Sequence, residues 1–184
     1  MQVRKYASEL APHPLPLAMR WSNYVSLPLM AVLLLMQASV LPRVPLLGFT
    51  PQVLLLVVIC WTLLRGLEMG CVWAFVAGIF LDLFSVAPMG STALTFMAVV
   101  FVVVGIQKAL PENRFFVPLV TGAAGTFAYL LLNFLLLRLL GFPLPWAAAS
   151  TLAPLILLHS LLILPIFWIS YGLDQLSRPR RVQI

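Results

Sequence analysis

Six long apolar stretches, separated by short segments rich in proline and charge, constrain this chain more than any other feature. Hydrophobic residues make up 62% of its 184 residues, charged residues 9%, and the mean hydropathy is +1.07. Soluble domains carry roughly 25% charged residues. An apolar run of about 20 residues is long enough to cross a bilayer as an α-helix. The sequence therefore predicts an all-α polytopic membrane protein that forms one helical bundle.

The predicted organisation is a six-helix membrane domain between two cytoplasmic tails. Residues 1–21 combine basic residues with prolines and are expected to form an N-terminal tail, whereas residues 174–184 form a basic C-terminal tail. The membrane domain covers residues 22–173. Its helices are predicted at about 22–41, 51–64, 69–84, 91–106, 115–140 and 146–173.

The distribution of basic residues predicts the orientation of these helices. Nine of them fall on one side of the predicted layout: Arg4, Lys5, Arg20, Arg65, Lys108, Arg114, Arg178, Arg180 and Arg181. Only Arg43 and Arg138 fall on the other side. Because Lys and Arg are enriched in cytoplasmic loops, both termini are expected in the cytoplasm.

A stripe of small residues ends at an acid on the predicted third helix. Its members recur every four residues: Gly66, Gly70, Ala74, Gly78 and Asp82. Such a stripe lets another membrane helix approach closely. An acid at membrane depth is costly, so Asp82 and the following turn at Pro88 and Gly90 form a candidate functional site. Two alternatives stay open: the stripe packs this bundle together, and Asp82 lies at a helix end among headgroups.

A second stripe with four-residue spacing lies on the predicted fifth helix. It consists of Thr121, Gly125, Tyr129 and Asn133. The two stripes are expected to pack against each other, with Asn133 hydrogen-bonding across the contact. The alternative is that this stripe, like the first, only holds the bundle together.

The sequence offers few groups for catalysis or for binding a cofactor or metal. Cys60 and Cys71 lie inside apolar segments and are expected to act as small apolar residues. Asp82 and His159 are the ionisable residues found clearly within apolar stretches, on different predicted helices. No catalytic, cofactor-binding or metal-ligating residue is therefore predicted, and His159 is expected to be a hydrogen-bonded packing residue. An intramembrane enzyme would require Asp82 or His159 for turnover.

The run at residues 70–94, GCVWAFVAGIFLDLFSVAPMGSTAL, resembles the signature of the bacterial rod shape-determining MreD family. Met89 stands where that family more often has leucine, and His159 where asparagine is expected. The resemblance implies a non-enzymatic scaffold of the cell-elongation machinery (elongasome), which directs peptidoglycan synthesis from the inner membrane. The implied partners are MreC, RodA, a class B penicillin-binding protein and MreB. It also implies that the first stripe admits a partner helix and that Asp82 shapes a periplasmic contact.

The architecture of the MreD family also suggests a second function, the binding of a small molecule. The MreD family is similar to the substrate-binding subunits of energy-coupling-factor transporters, six-helix proteins that hold a small molecule near the outer surface. Such a subunit needs several convergent polar groups in its outer loops and helix ends. The corresponding segments here, 42–50, 85–91 and 141–147, are apolar and rich in proline. They favour an adaptor with an apolar or lipid-lined opening.

Overall fold

The computed structural model describes residues 28, 30–40, 43, 49–85, 87–111, 113, 115–142 and 152–177. Six helices and no strand lie within these ranges. Helix α1 covers residues 30–35 and continues into the π-helical turn Met36–Val40. The other helices are α2 Val53–Arg65, α3 Leu67–Leu83, α4 Ser91–Ala109, α5 Phe116–Leu139 and α6 Leu152–Ser177. The predicted tail at 1–21, the predicted helix starts at 22–27 and 146–151, and the basic residues at 178–181 lie outside the described residues.

Helix α2 occupies the centre of the bundle. Nine of its 13 residues, Leu54 through Thr62, are buried, and it packs against α3, α4, α5 and α6. Its sequence is apolar on every face, as expected of a helix surrounded by others. Because 13 residues rise only about 20 Å, at least one end of α2 lies within a hydrocarbon layer about 30 Å thick. The backbone groups at that end need partners from neighbouring helices.

A single glycine joins α2 to α3. Gly66 has a φ of +83°, a left-handed conformation that side chains disfavour. Its N–H donates to the carbonyl of Thr62 at 2.8 Å, and its own carbonyl accepts from the N–H of Gly70 at 3.0 Å. The expected face at residues 66–82 is thus incomplete, because Gly66 forms the corner between the helices and α3 begins at Leu67.

Consecutive helices pack side by side around α2: α3 on α4, α4 on α5, and α5 on α6. Helices α4, α5 and α6 are each long and apolar enough to cross a membrane. Large apolar side chains cover their outer faces, including Phe101, Leu135 and Leu161. The described part of the chain is therefore that of a helical membrane protein, while the number of crossings stays a prediction.

Candidate functional site

Asp82 caps the N-terminus of α4 from the end of α3. Its carboxylate, 4% exposed, accepts hydrogen bonds from the backbone N–H groups of Gly90 (2.8 Å), Thr92 (3.1 Å) and Ala93 (3.4 Å). The hydroxyl of Ser91 donates to it at 3.4 Å. The first turn of a helix has unpaired N–H groups and a partial positive charge, so a carboxylate there is doubly favoured. These contacts compensate the burial of the acid.

The turn before α4 explains why the cap comes from another helix. Gly90 is the residue at the cap position and adopts a φ of +91°. Glycine suits this left-handed conformation but offers no side-chain oxygen for the helix end. The carbonyl of Pro88 accepts from the N–H of Ser91 at 3.1 Å and completes the turn. Asp82, Pro88 and Gly90 therefore act as one structural unit.

The small residues of the first stripe pack against helices of this same chain. A methyl group added at Gly78 would lie 2.5 Å from the backbone nitrogen of Ala93, and one at Gly70 would lie 2.5 Å from the Thr62 hydroxyl. Ala74 is completely buried. The stripe thus lets α3 approach α2 and α4, and the space above it is already filled. A partner helix would have to contact another face.

The second stripe faces α2 and α4 rather than the first stripe. A methyl added at Gly125 would lie 2.7 Å from the Ile59 side chain of α2, and the Tyr129 ring meets Phe96 of α4 edge-on with centroids 5.5 Å apart. Thr121 is buried as well. The expectation that the two stripes pack together is wrong, because α4 lies between α3 and α5.

Asn133, the last member of the second stripe, is half-buried. Within the described part of the chain, its side chain makes no hydrogen bond to another helix. The polar contacts between helices come instead from other side chains, among them Gln37, Asp82 and His159.

Two side chains from distant parts of the chain cap the N-terminus of α2. The amide of Gln37, in the π-helical turn of α1, accepts from the N–H of Val53 at 2.8 Å and donates to the carbonyl of Pro51 at 3.0 Å. Nε2 of His159, in α6, accepts from the N–H of Gln52 at 2.9 Å. These bonds supply the partners that the short central helix needs. The sequence indicates only that Gln37, a lone amide in an apolar helix, faces water or a neighbour; its role as a cap was not predicted.

The bonds of His159 fix its protonation. Because the N–H of Gln52 can only donate, Nε2 must carry a lone pair, and the ring proton of the neutral imidazole lies on Nδ1. Nδ1 is 3.0 Å from the hydroxyl of Thr126 in α5. His159 is completely buried and ties α2, α5 and α6 together. It is a hydrogen-bonded packing residue, as the sequence predicts.

A polar cavity lies between these two capped helix ends. Its volume is about 350 Å³, and its lining comprises Gln37, Gln52, Leu81, Phe84, Ser85, Thr92 and Tyr129. The polar side chains of Gln52 and Tyr129 both face this cavity. The expectation of an apolar opening is therefore wrong for the described residues. The polar groups belong to helices and helix ends, whereas the expectation rested on loop composition.

A partly buried ion pair lies at the opposite end of α2. The Arg65 guanidinium donates from Nε to Asp174 and lies over the Trp61 ring, 5.8 Å from its centroid. The Asp174 side chain is fully buried. Sequence reasoning missed this acid because it ended the sixth helix near Leu173, whereas α6 continues to Ser177. The signal was an acid directly after one apolar run and an arginine at the end of another.

The buried polar groups of this bundle connect helices and do not converge on one reaction centre. Asp82 and Asp174 lie near opposite ends of the bundle, and each is bonded to its own neighbours. Among the described residues, no group of three His, Cys, Asp or Glu is placed to hold a metal ion. The arrangement can stabilise the bundle and line a cavity with neutral polar groups.

These features define a membrane protein that is helical throughout its described residues, with an apolar core in which buried polar side chains cap helix ends. A comparison with protein families matches residues 19–175 to the rod shape-determining protein MreD, so the chain belongs to the MreD family. The resemblance at residues 70–94 is thus confirmed. No curated protein and no solved structure matches the chain. Membership supports a role in rod shape determination, in a family of structural, shape-determining proteins.

Proposed function

We propose that this protein is a non-enzymatic scaffold of the cell-elongation machinery in the bacterial inner membrane. It binds MreC and the synthase formed by RodA and a class B penicillin-binding protein, and through them MreB and peptidoglycan synthesis. The observation that carries the proposal is the family match over residues 19–175. The capped interior supports it, because the hydrogen bonds of the buried acids and of His159 join one helix to another.

The proposed partner surfaces are the outer faces of the helices. Since the glycine stripe of α3 is filled by α2 and α4, a partner helix meets exposed residues outside the stripe, such as Phe75, which is 53% exposed. Packing of apolar surfaces between membrane helices depends on close fit rather than on removal from water. Exposure alone therefore does not identify the helix face that contacts a partner. Crosslinking from each exposed face identifies it.

Photo-crosslinking in cells tests the proposal. A photoreactive amino acid is placed at one exposed position per helix, Phe75, Phe101, Leu135 or Leu161, with buried Ala74 as the matched control. We expect crosslinks to MreC or to the synthase from neighbouring exposed positions and none from Ala74. If all exposed positions of a functional protein give only lipid crosslinks, the scaffold proposal fails.

The proposed topology has six crossings with both termini in the cytoplasm. Basic residues at the predicted loops and tails support it. A fluorescent protein fused to either terminus should fold and fluoresce, while alkaline phosphatase fused there should be inactive. An active phosphatase at one terminus would require an odd number of crossings.

The polar cavity favours a second candidate, a small-molecule-binding subunit like those of energy-coupling-factor transporters. Its volume of about 350 Å³ lies at the lower end of ligand pockets, roughly 300–1,000 Å³. Native mass spectrometry of protein from its own membranes separates the two functions. A stoichiometric polar metabolite, lost in Tyr129→Phe, would favour the binding subunit, whereas co-purified MreC favours the scaffold.

A further inference from the structure

The polar cavity between the capped ends of α2 and α4 runs from an exposed rim to a buried wall. On the buried wall lie Thr92 of α4 and Tyr129 of α5, which are 8% and 5% exposed. At the rim lies Phe84, which directly follows α3 and is 63% exposed. The cavity therefore leads from the surface of the bundle to hydroxyl groups in its interior.

The hydroxyl of Thr92 has no hydrogen-bond partner within the described part of the chain. Threonine hydroxyls in helices commonly bond the carbonyl one turn earlier, as those of Thr62 and Thr95 do at 2.7 Å. Among the described residues, the one buried side-chain nitrogen or oxygen without a partner is Nε1 of Trp61. The unpaired hydroxyl of Thr92 is therefore accessible from the cavity, and an occupant can hydrogen-bond to it.

The side chains that line the cavity are uncharged. They comprise two amides, three hydroxyl groups and the apolar side chains of Leu81 and Phe84. Amides and hydroxyl groups can both donate and accept hydrogen bonds. The lining thus offers neutral polar groups together with an apolar surface.

Asp82, although adjacent to the cavity, is already engaged. Its carboxylate is 4% exposed and accepts the N–H groups of Gly90, Thr92 and Ala93. A cation in the cavity would find no free carboxylate, and an anion would lie near this one without a basic partner. Burial of an unpaired charge costs far more than burial of a hydrogen-bonded polar group. The cavity therefore favours a neutral occupant.

We propose that the cavity binds a small uncharged molecule that has a flat apolar part and an amide or hydroxyl group. The hydroxyl groups of Thr92 and Tyr129 hydrogen-bond the polar group, while Leu81 and Phe84 contact the apolar part. A lipid chain would leave the Thr92 hydroxyl unpaired, which costs free energy. The proposal rests on the second function given above, the binding of a small molecule, and names the chemical class of the ligand.

Three probes that share one ring but differ in charge test this class. They are benzamide, which is neutral, benzoate and benzylammonium, and ligand-detected NMR with the purified full-length protein measures their dissociation constants at neutral pH. We expect both ions to bind about tenfold more weakly than benzamide.

The outcomes separate this inference from the function on which it rests. Binding of either ion as tight as that of benzamide would overturn the neutral class and leave the small-molecule function intact. Absence of binding by all three probes would also overturn the inference. Native mass spectrometry of protein from its own membranes would then decide the function separately.

Two threonine variants assign the binding to the cavity. Thr92→Val removes the unpaired hydroxyl at nearly constant shape and should weaken benzamide binding about fivefold, the effect of one ordinary hydrogen bond. Thr95→Val is the matched control, because Thr95 is also buried in α4 but bonds the carbonyl of Ser91 and does not line the cavity. It should bind benzamide as the parent does. Unchanged binding in Thr92→Val would refute the assignment.

Photolabelling of the parent protein covers the case in which Thr92→Val does not fold. A benzamide that carries a diazirine should label Gln52, Leu81 or Phe84, and excess benzamide should prevent this labelling. Labelling confined to residues that do not line the cavity would overturn the proposal.

Discussion

Replacing Gly78 by alanine is expected to destabilise the bundle, although alanine is the better helix former. The added methyl would lie 2.5 Å from the backbone nitrogen of Ala93 and 2.9 Å from its Cβ. Backbone atoms cannot rotate away, so α3 and α4 must separate. Overpacking of this kind costs about 1–3 kcal/mol, against a gain in helix propensity of about 1 kcal/mol.

The same displacement weakens the cap of α4. Asp82 lies one helical turn beyond Gly78, and its bond to the N–H of Ala93 is already long at 3.4 Å. Loss of a hydrogen bond to a charged group removes about 1.5–3 kcal/mol. We therefore expect Gly78→Ala to lower the free energy of unfolding by about 1.5–5 kcal/mol in total.

Gly105→Ala is the matched control. Gly105 also lies inside a helix, α4, but nothing is within 4 Å of a methyl added there. This variant should be about as stable as the parent or up to 1 kcal/mol more stable. Reversible unfolding in mixed micelles gives both values. If Gly78→Ala were as stable as Gly105→Ala, the close approach of α3 and α4 described above would be wrong.

Three further substitutions test the polar contacts. Asp82→Asn leaves only one oxygen to accept and should cost about 1–2 kcal/mol of unfolding free energy; unchanged thermal stability would contradict the cap. His159→Leu leaves the N–H of Gln52 unpaired and should lower the free energy of unfolding by about 1–3 kcal/mol. His159→Gln retains an acceptor and should lower it less. Equal losses for the two variants in the same unfolding assay would argue against the bond from Gln52 to His159. Asp174→Asn removes the charge facing Arg65 and should lower the free energy of unfolding by about 2–4 kcal/mol. The double variant Asp174→Asn/Arg65→Gln should recover part of that loss. A double variant no more stable than Asp174→Asn would show that the two side chains are not coupled.

Much of the fold follows from the apolar pattern of the sequence. The predicted helices at 91–106 and 115–140 correspond to α4 and α5, Ser91–Ala109 and Phe116–Leu139, because long apolar runs with charged ends have few other stable forms in a membrane. The small residues also indicated close helix contacts. Spacing defines a face of a helix but not its neighbour, so the pairing of the two stripes was wrongly predicted.

The polar contacts between helices were harder to predict. The bond from Gln52 to His159 and the ion pair of Arg65 with Asp174 join residues 107 and 109 positions apart. No local pattern encodes such distances. A lone glutamine or histidine in an apolar helix signals that a partner is needed, because an unpaired polar group there is costly, but does not identify the partner. Asp82 was easier to interpret, since its partners follow within 11 residues.

The cap that His159 places on α2 has a consequence for biogenesis. At roughly 5–20 residues per second, the ribosome makes His159 on the order of 5–20 s after Gln52, which lies 107 positions earlier. During that interval the start of the central helix lacks one of its permanent acceptors. A nascent chain that stops before α6 therefore lacks the cap that His159 places on the start of α2. The hydrogen bonds of the central helix are complete only after the last helix has been made.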